Sequence, residues 1–275
     1  MLDIIKDLSS KKELIGLEDF FENFLRKELK HNIELKKLIK LPIKQLKKKK
    51  IYKEFLKKSR SEARRIYGMF FDKNYNKKEV YLQEYEKTKN PKLLTKILEL
   101  HKSSKERLSF YEDFYNEIFK KIGSVETILD LGCGFNPFSY NLMNQNAKYY
   151  CVEISDDTVK FINLFFKIEG IVGKTFKIDL VKNHEKIKTI KTDVCFALKL
   201  FDSLEERKRH ITKQIINEIN AKFLVASFPT KSLGGRREIQ KNKRGWFEKN
   251  FRNFSVIEFE NEIVYLCPLD NHKKA

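Results

Sequence analysis

The sequence ILDLGCGFNP, residues 128–137, is the most informative stretch of this 275-residue chain. Its first four residues have the apolar pattern of a buried strand, which leads directly into two glycines, Gly132 and Gly134. A helix is predicted to open around Asn136 and Pro137. Glycines at such a turn let the backbone approach a ligand closely, and open α/β sheets bind ligands at the carboxyl ends of their strands. The stretch therefore predicts a ligand site after the first strand of an α/β domain.

The residues around these glycines exclude two common phosphate-binding motifs. A dinucleotide fingerprint needs a third glycine where Pro137 stands, so NAD is disfavoured, and no Gly-Lys-Ser/Thr follows to make a P-loop. Glu153 lies nineteen residues after Gly134, at the end of the second predicted strand. A carboxylate there can accept hydrogen bonds from both ribose hydroxyls of an adenosine. A strand–glycine–helix turn with a purely structural role is the alternative.

Strands and helices alternate along the chain from residue 127 onward. Strands are predicted at residues 127–131, 149–154, 175–180, 194–200 and 223–228, and helical periodicity separates most of them, as at 159–166 and 205–219. This alternation predicts a parallel sheet with right-handed crossovers. Residues 254–259 and 262–267, separated by Glu260 and Asn261, predict a hairpin at the sheet edge.

Residues 1–90 have helical periodicity instead. We predict three to five helices there, with breaks at Pro42 and at residues 67–76. Another helical stretch is predicted to begin after Pro91 and to run to about Lys121, ending near Gly123. The chain is therefore predicted to have an all-α domain at 1–90 and an α/β domain at 91–275.

Positive charge is abundant and concentrated near the N-terminus. The chain has 57 Lys and Arg against 38 Asp and Glu, a net charge of +19, which favours a polyanionic partner such as nucleic acid or an anionic membrane. Residues 36–65 hold 14 Lys and Arg against two acids. This segment predicts a surface that neutralises RNA phosphates, and a well-solvated Lys-rich helix surface is the alternative. The RNA-binding candidates here are Lys47, Lys48, Lys49, Lys50, Lys57, Arg64 and Arg65.

Composition and spacing exclude several other classes. The 41% hydrophobic content is enough for a sizeable core and excludes wholesale disorder. No apolar run approaches the length of a membrane helix, and the N-terminus lacks the pattern of a signal peptide. The four cysteines have no metal-ligand or disulfide spacing, so we expect no metal and a reduced, cytoplasmic setting. We also expect no membrane partner and a monomer.

Several longer blocks of sequence carry a more specific signal. LHKSSKERLSFYEDFYNEIF, ILDLGCGFNP, ALKL, SFPTKSLGG with WFE downstream, and NEIVYL follow one another over roughly residues 93–268. In this order they resemble the 16S ribosomal RNA (guanine-N7) methyltransferases of aminoglycoside-producing and aminoglycoside-resistant bacteria. The resemblance implies a Rossmann-like class I methyltransferase domain that binds S-adenosyl-L-methionine (SAM), with a mostly parallel sheet and a C-terminal antiparallel hairpin. It also implies that a preceding all-α domain docks on the small ribosomal subunit.

The resemblance further implies which residues bind SAM. Arg107 would pair with the methionine carboxylate, Glu153 would hold the ribose, and Asp179 would accept from the adenine amino group. The alternative for Arg107 is a position on the surface of a helix, and the alternative for Asp179 is a turn-forming role. His101 fits a role in helix packing equally well. The remaining implied cofactor positions are His101, Asp130, Gly132, Cys133, Gly134, Asn136, Ile154, Leu180 and Lys199.

Lys199, in ALKL at the end of the fourth predicted strand, matches a family lysine close to the methyl-transfer site. Guanine N7 has an in-plane lone pair and no proton, so its methylation requires alignment and proximity rather than a general base. The chain lacks the Asp/Asn-Pro-Pro-Tyr/Phe block of exocyclic-amine methyltransferases and the Pro-Cys of cytosine-C5 enzymes. Snorkelling of Lys199 to the strand end is the alternative to a catalytic role.

Residues 228–249 are expected on the target-base side of the pocket. The phosphate-binding and base-stacking candidates there are Lys231, Arg236, Arg237 and Trp246, and a buried anchor is the alternative role for the tryptophan. The stretch REIQKNKRGW departs from the Gly-Met-Glu-x-Asn-Tyr-like sequence of bacterial relatives, which leaves the identity of the RNA open. A guanine N7 in small-subunit ribosomal RNA is the first hypothesis. The alternatives are another structured RNA such as tRNA, a SAM- or RNA-binding module without activity, and a small-molecule methyltransferase.

Overall fold

The described part of the chain contains one seven-stranded sheet. The structure is a computed structural model that describes residues 1–10, 18–66, 72, 74–231 and 244–269. The strand order is β3-β2-β1-β4-β5-β7-β6. The strands are β1 Thr127–Leu131, β2 Lys148–Glu153, β3 Gly173–Lys177, β4 Lys191–Leu198, β5 Asn220–Pro229, β6 Ser255–Glu258 and β7 Glu262–Pro268.

The sheet confirms the predicted α/β topology. Strands β1 to β5 are parallel to one another, while β7 pairs antiparallel with both β5 and β6. The last two strands form the predicted hairpin, at the edge next to β5. One prediction is wrong in detail, because β3 ends at Lys177 and not at residue 180. Asp179 does not close that strand but is the N-cap of a short helix, its carboxylate accepting from the Val181 N–H at 3.0 Å.

Fourteen α-helices lie within the described residues, and those after residue 90 pack against the two faces of the sheet. Ile128 and Val194 belong to a core with α7, α9 and α10, while the next residues, Leu129 and Cys195, belong to a core with α12 and α13. This alternation follows from the two-residue period of a strand. The helices are α1 Leu2–Leu8, α2 Glu18–His31, α3 Ile33–Leu38, α4 Ile43–Leu46, α5 Lys50–Ile66, α6 Lys78–Thr88, α7 Pro91–Glu99, α8 Lys102–Arg107, α9 Tyr111–Ile122, α10 Asp156–Glu169, α11 Leu180–Asn183, α12 Phe201–Arg207, α13 Ile211–Glu218 and α14 Gly245–Glu248.

The helices of residues 1–66 have a core of their own. Leu8 of α1, Phe21 of α2, Leu35 of α3 and Leu46 of α4 are fully buried there against α5. Six α-helices occur in the described residues up to Thr88, more than the three to five predicted, because two of them, α3 and α4, are short helices of six and four residues. The sixth, α6, contributes to the core that covers the sheet. The domain boundary at residue 90 stays a prediction.

Two predicted continuous helices are broken. The stretch 91–121 forms α7, α8 and α9, because the backbone is extended at His101 (φ −120°) and turns at 108–110. The stretch 205–219 is divided between α12 and α13 by His210, whose φ of +65° is incompatible with a continuing helix. The helix predicted at Asn136–Pro137 is a 3₁₀ helix, Asn136–Met143. In the described ranges no helix is long and apolar enough to cross a bilayer.

Candidate active site

A cavity lies at the carboxyl ends of β1, β2 and β4, where the topology predicts a ligand. Among the described residues, every predicted cofactor-binding residue except Asp179 lines this cavity. The predicted residues on its wall are His101, Arg107, Asp130, Gly132, Cys133, Gly134, Asn136, Glu153, Ile154, Leu180 and Lys199. The fold therefore brings together residues from positions 101 to 199 at one site.

The glycine turn after β1 requires glycine at both positions. Gly132 and Gly134 have φ of +61° and +51°, in the left-handed region that other residues rarely adopt. A Cβ on Gly132 would lie 2.5 Å from Leu200 Cδ1, and a Cβ on Gly134 would lie 2.7 Å from His101 Nε2. The turn is fixed to the next strand because the Gly132 N–H donates to the Val152 carbonyl at 2.8 Å. Side chains are thus excluded from the cavity wall at this point.

Glu153 ends β2 with its carboxylate held by three backbone N–H groups. Gly134 donates to Oε2 at 3.1 Å, while Ile154 and Ser155 donate to Oε1 at 2.7 and 3.3 Å. Burial raises the pKa of this carboxyl, and the three N–H groups oppose that change. Because a carboxylate has about four lone-pair sites, it can still accept from a ligand in the cavity.

Asp130 lies beneath the glycine turn with one carboxylate oxygen satisfied and one not. Its Oδ2 accepts from the Tyr149 hydroxyl at 2.7 Å and from Asn136 Nδ2 at 2.9 Å. Its buried Oδ1 has no hydrogen-bond partner among the described residues. Burial raises the pKa of Asp130 to about 6, although both donors act in the opposite direction. A buried acceptor with no partner on a cavity wall is a position for a ligand's donor.

His101 is held neutral at the same wall. Burial lowers the pKa of its imidazole to about 3, and the positive charges of Arg107 and Lys199 lower it further. Its ring lies 5.8 Å from that of Phe135 and packs against the glycine turn. His101 also stands at the start of α8, which agrees with the alternative role in helix packing.

Arg107 is fully buried and forms a two-pronged ion pair with Glu262. Its Nε lies 2.8 Å from Oε2, and its Nη2 lies 2.7 Å from Oε1. Burial by itself would raise the pKa of Glu262, but the charges of Arg107 and Lys199 lower it. The surface-arginine alternative is thus wrong, because only 1% of Arg107 is exposed.

Lys199 follows β4 in a strained conformation, with φ of +53°. Its backbone N–H donates to both the carbonyl and the Oγ of Ser227 at 3.0 Å. Its ammonium lies 2.7 Å from Glu106 Oε2 and 3.3 Å from Glu262 Oε2. Lys199 is 8% exposed, so it does not snorkel to solvent, and a non-glycine residue in this backbone region is a feature of many functional sites.

Asp179 is the predicted residue that the structure separates from the cavity. Ile178 and Leu180 are among the described residues on the wall, whereas Asp179 is not. Its carboxylate caps α11 and pairs with Arg207 at 3.1 Å. These contacts agree with the turn-forming alternative for Asp179. Arg207 lies on the cavity wall, whereas Asp179 does not.

The predicted RNA-binding residues differ in their exposure and in their contacts. Lys47 to Lys50 and Lys57 are exposed, although Lys47 pairs with Asp7 at 2.8 Å. Lys231 lies 3.9 Å from Glu260. The side chains of Arg64 and Arg65, and all of Arg236 and Arg237, lie outside the described residues. Trp246 is half-buried and packs edge-to-face on Phe228, ring centroids 6.0 Å apart, as a buried anchor would.

Sequence reasoning missed half of the residues on the cavity wall, among them Tyr75 and Arg207, and it missed Glu262, which contacts Arg107. Glu262 stands in the NEIVYL block, and an acid at the start of an apolar strand was a usable signal. Tyr75 comes from the turn before α6 and lines the cavity, its hydroxyl 2.9 Å from Asp157 Oδ2. No local pattern points to Tyr75 or to Arg207, because both reach the cavity only through packing.

Fold and site together define the class of this protein. A parallel sheet with an antiparallel seventh strand, a glycine turn after β1 and an acid at the end of β2 constitute the class I SAM-dependent methyltransferase fold. Residues 57–253, most of the chain, match the family described as ribosomal RNA methyltransferase (FmrO). The chain belongs to this family.

Individual relatives agree with this assignment. The 16S rRNA (guanine(1405)-N(7))-methyltransferase of Micromonospora echinospora is 30% identical over 180 residues, covering 63% of this chain and 65% of the relative. The enzyme of the same name from Frankia casuarinae is 26% identical over 186 residues, 63% of each chain. The chain thus matches less than two thirds of the length of either relative.

A solved structure shows the same fold over nearly the whole chain. The 16S rRNA methyltransferase RmtF, in complex with S-adenosyl-L-homocysteine, superposes with a TM-score of 0.74 over 97% of both chains at 24% identity. The N-terminal helical region is included in that coverage. The comparison confirms the predicted fold class, a helical region followed by a Rossmann-like domain.

Proposed function

We propose that this protein is a SAM-dependent methyltransferase that transfers a methyl group to N7 of a guanine in small-subunit ribosomal RNA. The observation that carries the proposal is the cavity at the ends of β1, β2 and β4, lined by the cofactor residues that the family resemblance implied, with the exception of Asp179. The Micromonospora and Frankia relatives are named for this reaction, and the RmtF structure contains the demethylated product of SAM.

The residues of the cavity fit SAM. Glu153 offers carboxylate oxygens to ribose hydroxyls, and the Asp130 Oδ1 offers an acceptor to an ammonium group. Arg107 offers N–H donors to a carboxylate, and Leu180 offers an apolar surface to a base. Bound there, SAM would supply an electrophilic methyl group on its sulfonium.

The protein's contribution to N7 methylation is alignment. The guanine N7 carries no proton, so the site requires no general base. Burial raises the pKa of the Cys133 thiol, so this cysteine is not a thiolate nucleophile at neutral pH. Lys199 lines the cavity at the position where the family resemblance implies a lysine near the methyl-transfer site, and we assign it the catalytic role of positioning the base. Its strained backbone is held in place by Ser227.

We also propose that exposed lysines between Lys47 and Lys57, on α5 and the preceding turn, hold phosphates of the RNA. The protein is further proposed to act as a monomer. We expect RNA affinity to fall steeply with salt: with about five phosphate contacts, raising salt from about 50 to about 200 mM lowers affinity by roughly several hundredfold. Filter binding at several salt concentrations measures the slope. The triple variant Lys48→Glu/Lys49→Glu/Lys57→Glu should flatten it, and the matched control Lys121→Glu, an exposed lysine of α9, should not. A flat response of the wild type would refute the phosphate surface.

Cofactor affinity is expected to depend on the charge of Asp130. Because its pKa is about 6, the carboxyl is ionised at pH 7.5 and mostly protonated at pH 5, and a bound ammonium favours the ionised form. Binding of S-adenosylhomocysteine should therefore weaken about tenfold from pH 7.5 to pH 5. Calorimetric titration of Asp130→Asn, which cannot ionise, should give an affinity with a much weaker pH dependence. The same dependence in that variant would show that Asp130 does not contact the ammonium.

The proposed reaction is tested by product analysis. The protein is incubated with SAM and, separately, with small ribosomal subunits, total ribosomal RNA and tRNA that lack the modification, and digested nucleosides are analysed by mass spectrometry. New 7-methylguanosine from the small subunit is the expected result. The same nucleoside from tRNA alone would move the substrate to tRNA. A different methylated nucleoside would overturn the base assignment, and no methylation with SAM still bound would favour a module without this activity.

A further inference from the structure

We propose that Glu262 is the positioning residue of the cofactor site: it holds one edge of the Arg107 guanidinium so that the other edge is left for the carboxylate of the ligand. The same carboxylate holds the Lys199 ammonium. This inference rests on the proposed function, because it concerns how that site binds the amino-acid part of SAM.

The hydrogen bonds show which edge of Arg107 is occupied. Glu262 accepts from Nε and from Nη2, with the shortest contacts at 2.8 and 2.7 Å. A guanidinium has five N–H donors, so the donors that Glu262 leaves are both on Nη1 and one on Nη2. The Tyr111 hydroxyl is a further hydrogen-bonding neighbour of the guanidinium. Arg107 lines the cavity, and the Nη1/Nη2 edge is a fork that matches a second carboxylate.

Glu262 also fixes Lys199. Its Oε2 lies 3.3 Å from the Lys199 ammonium, which Glu106 also contacts at 2.7 Å. Ser227 connects the two residues, because its hydroxyl hydrogen-bonds to Glu262 while its Oγ accepts from the Lys199 N–H. Glu262 is 0% exposed. It thus contacts both cations in a group of two cations and two acids whose formal charges cancel, of which Arg107, Lys199 and Glu262 are buried and Glu106 is partly exposed.

The position of Glu262 in the fold explains how it can act without lining the cavity. It is the first residue of β7, opposite Pro229 of β5, at the turn of the edge hairpin. The preceding residue, Asn261, donates to the Glu106 carbonyl of α8 at 3.3 Å. The hairpin therefore docks on α8 and delivers a carboxylate to Arg107 from 155 positions away in the sequence. Loss of this carboxylate would free the guanidinium to turn and would leave two cations beside one acid.

The test uses two ligands that differ in the amino-acid part. S-adenosylhomocysteine has the carboxylate, whereas 5′-methylthioadenosine keeps the nucleoside and the thioether and lacks the carboxylate and the ammonium. Affinities of both are measured by calorimetry for the wild type, for Glu262→Gln and for Glu262→Asp. We expect Glu262→Gln to weaken S-adenosylhomocysteine binding at least about tenfold, and 5′-methylthioadenosine binding less than about threefold. The charged Glu262→Asp should recover part of the loss.

A matched control and the opposite outcomes complete the experiment. Glu260→Gln removes an exposed acid from the same hairpin and should change neither affinity. Equal loss of both ligands, whether from local change or from failure to fold, would assign Glu262 a structural role and overturn the proposal. Unchanged binding of S-adenosylhomocysteine in Glu262→Gln would overturn it too. A wild type that binds neither ligand would instead refute the cofactor site, and so the proposed function itself.

Discussion

Replacing Glu153 with alanine is expected to weaken S-adenosylhomocysteine binding by about 100-fold or more, with RNA affinity changed less than about twofold. Charge-assisted hydrogen bonds contribute about 1.5–3 kcal/mol each, and this carboxylate is placed to accept two of them from a ribose. The variant also removes the acceptor that joins Gly134, Ile154 and Ser155, so the glycine turn keeps its backbone hydrogen bond to Val152 but loses the one from Gly134 to Glu153. Calorimetry with the cofactor product and filter binding with RNA measure the two affinities.

Asp156→Ala is the matched control for Glu153. Asp156 follows on the same connection, in the first turn of α10, where its carboxylate pairs with Lys160 at 2.6 Å and is 39% exposed. Its removal should leave cofactor affinity within about twofold of the wild type, since exposed ion pairs contribute about 0–1 kcal/mol. Equal losses of cofactor and RNA affinity in Glu153→Ala would show that the residue supports the fold and not the ligand.

Replacing Arg107 with alanine is expected to lower the free energy of unfolding by about 3–5 kcal/mol and to abolish measurable binding of S-adenosylhomocysteine. Removal of one partner from a buried ion pair leaves the other charge poorly compensated, and Glu262 would keep the Lys199 ammonium at 3.3 Å and the hydrogen bond from Ser227. Urea unfolding followed by circular dichroism measures the change in stability.

Arg26→Ala provides the comparison for that measurement. Arg26 also pairs with a glutamate, Glu22, but its side chain is 60% exposed, so we expect a change within about 1 kcal/mol. If Arg107→Ala were as stable as Arg26→Ala, the Arg107–Glu262 pair would contribute little to the fold. The inference about Glu262 would then depend on the ligand-binding measurements alone.

Much of the α/β part was predictable because its signals are local. Leu129 and Leu131 alternate with Ile128 and Asp130 at the strand period, and the glycines that follow favour a turn. The cofactor positions in that segment, from Asp130 to Asn136, therefore lie on the cavity as expected. Where local signals compete, the prediction was wrong: Asp179 ends an apolar run but also suits a helix N-cap, and the N-cap is what the structure contains.

By itself, the sequence determined the class of fold, the site at the end of β1 and the basic character of the N-terminal region. Each of these follows from periodicity, composition or a short motif, which act over a few neighbouring residues. Only the tertiary structure decided what Arg107 and Lys199 contact. Their partner Glu262 lies at the other end of the chain's α/β part, and no spacing rule relates residues 155 positions apart. Such a pair forms because burial makes an uncompensated charge costly, and burial is a property of the packed fold.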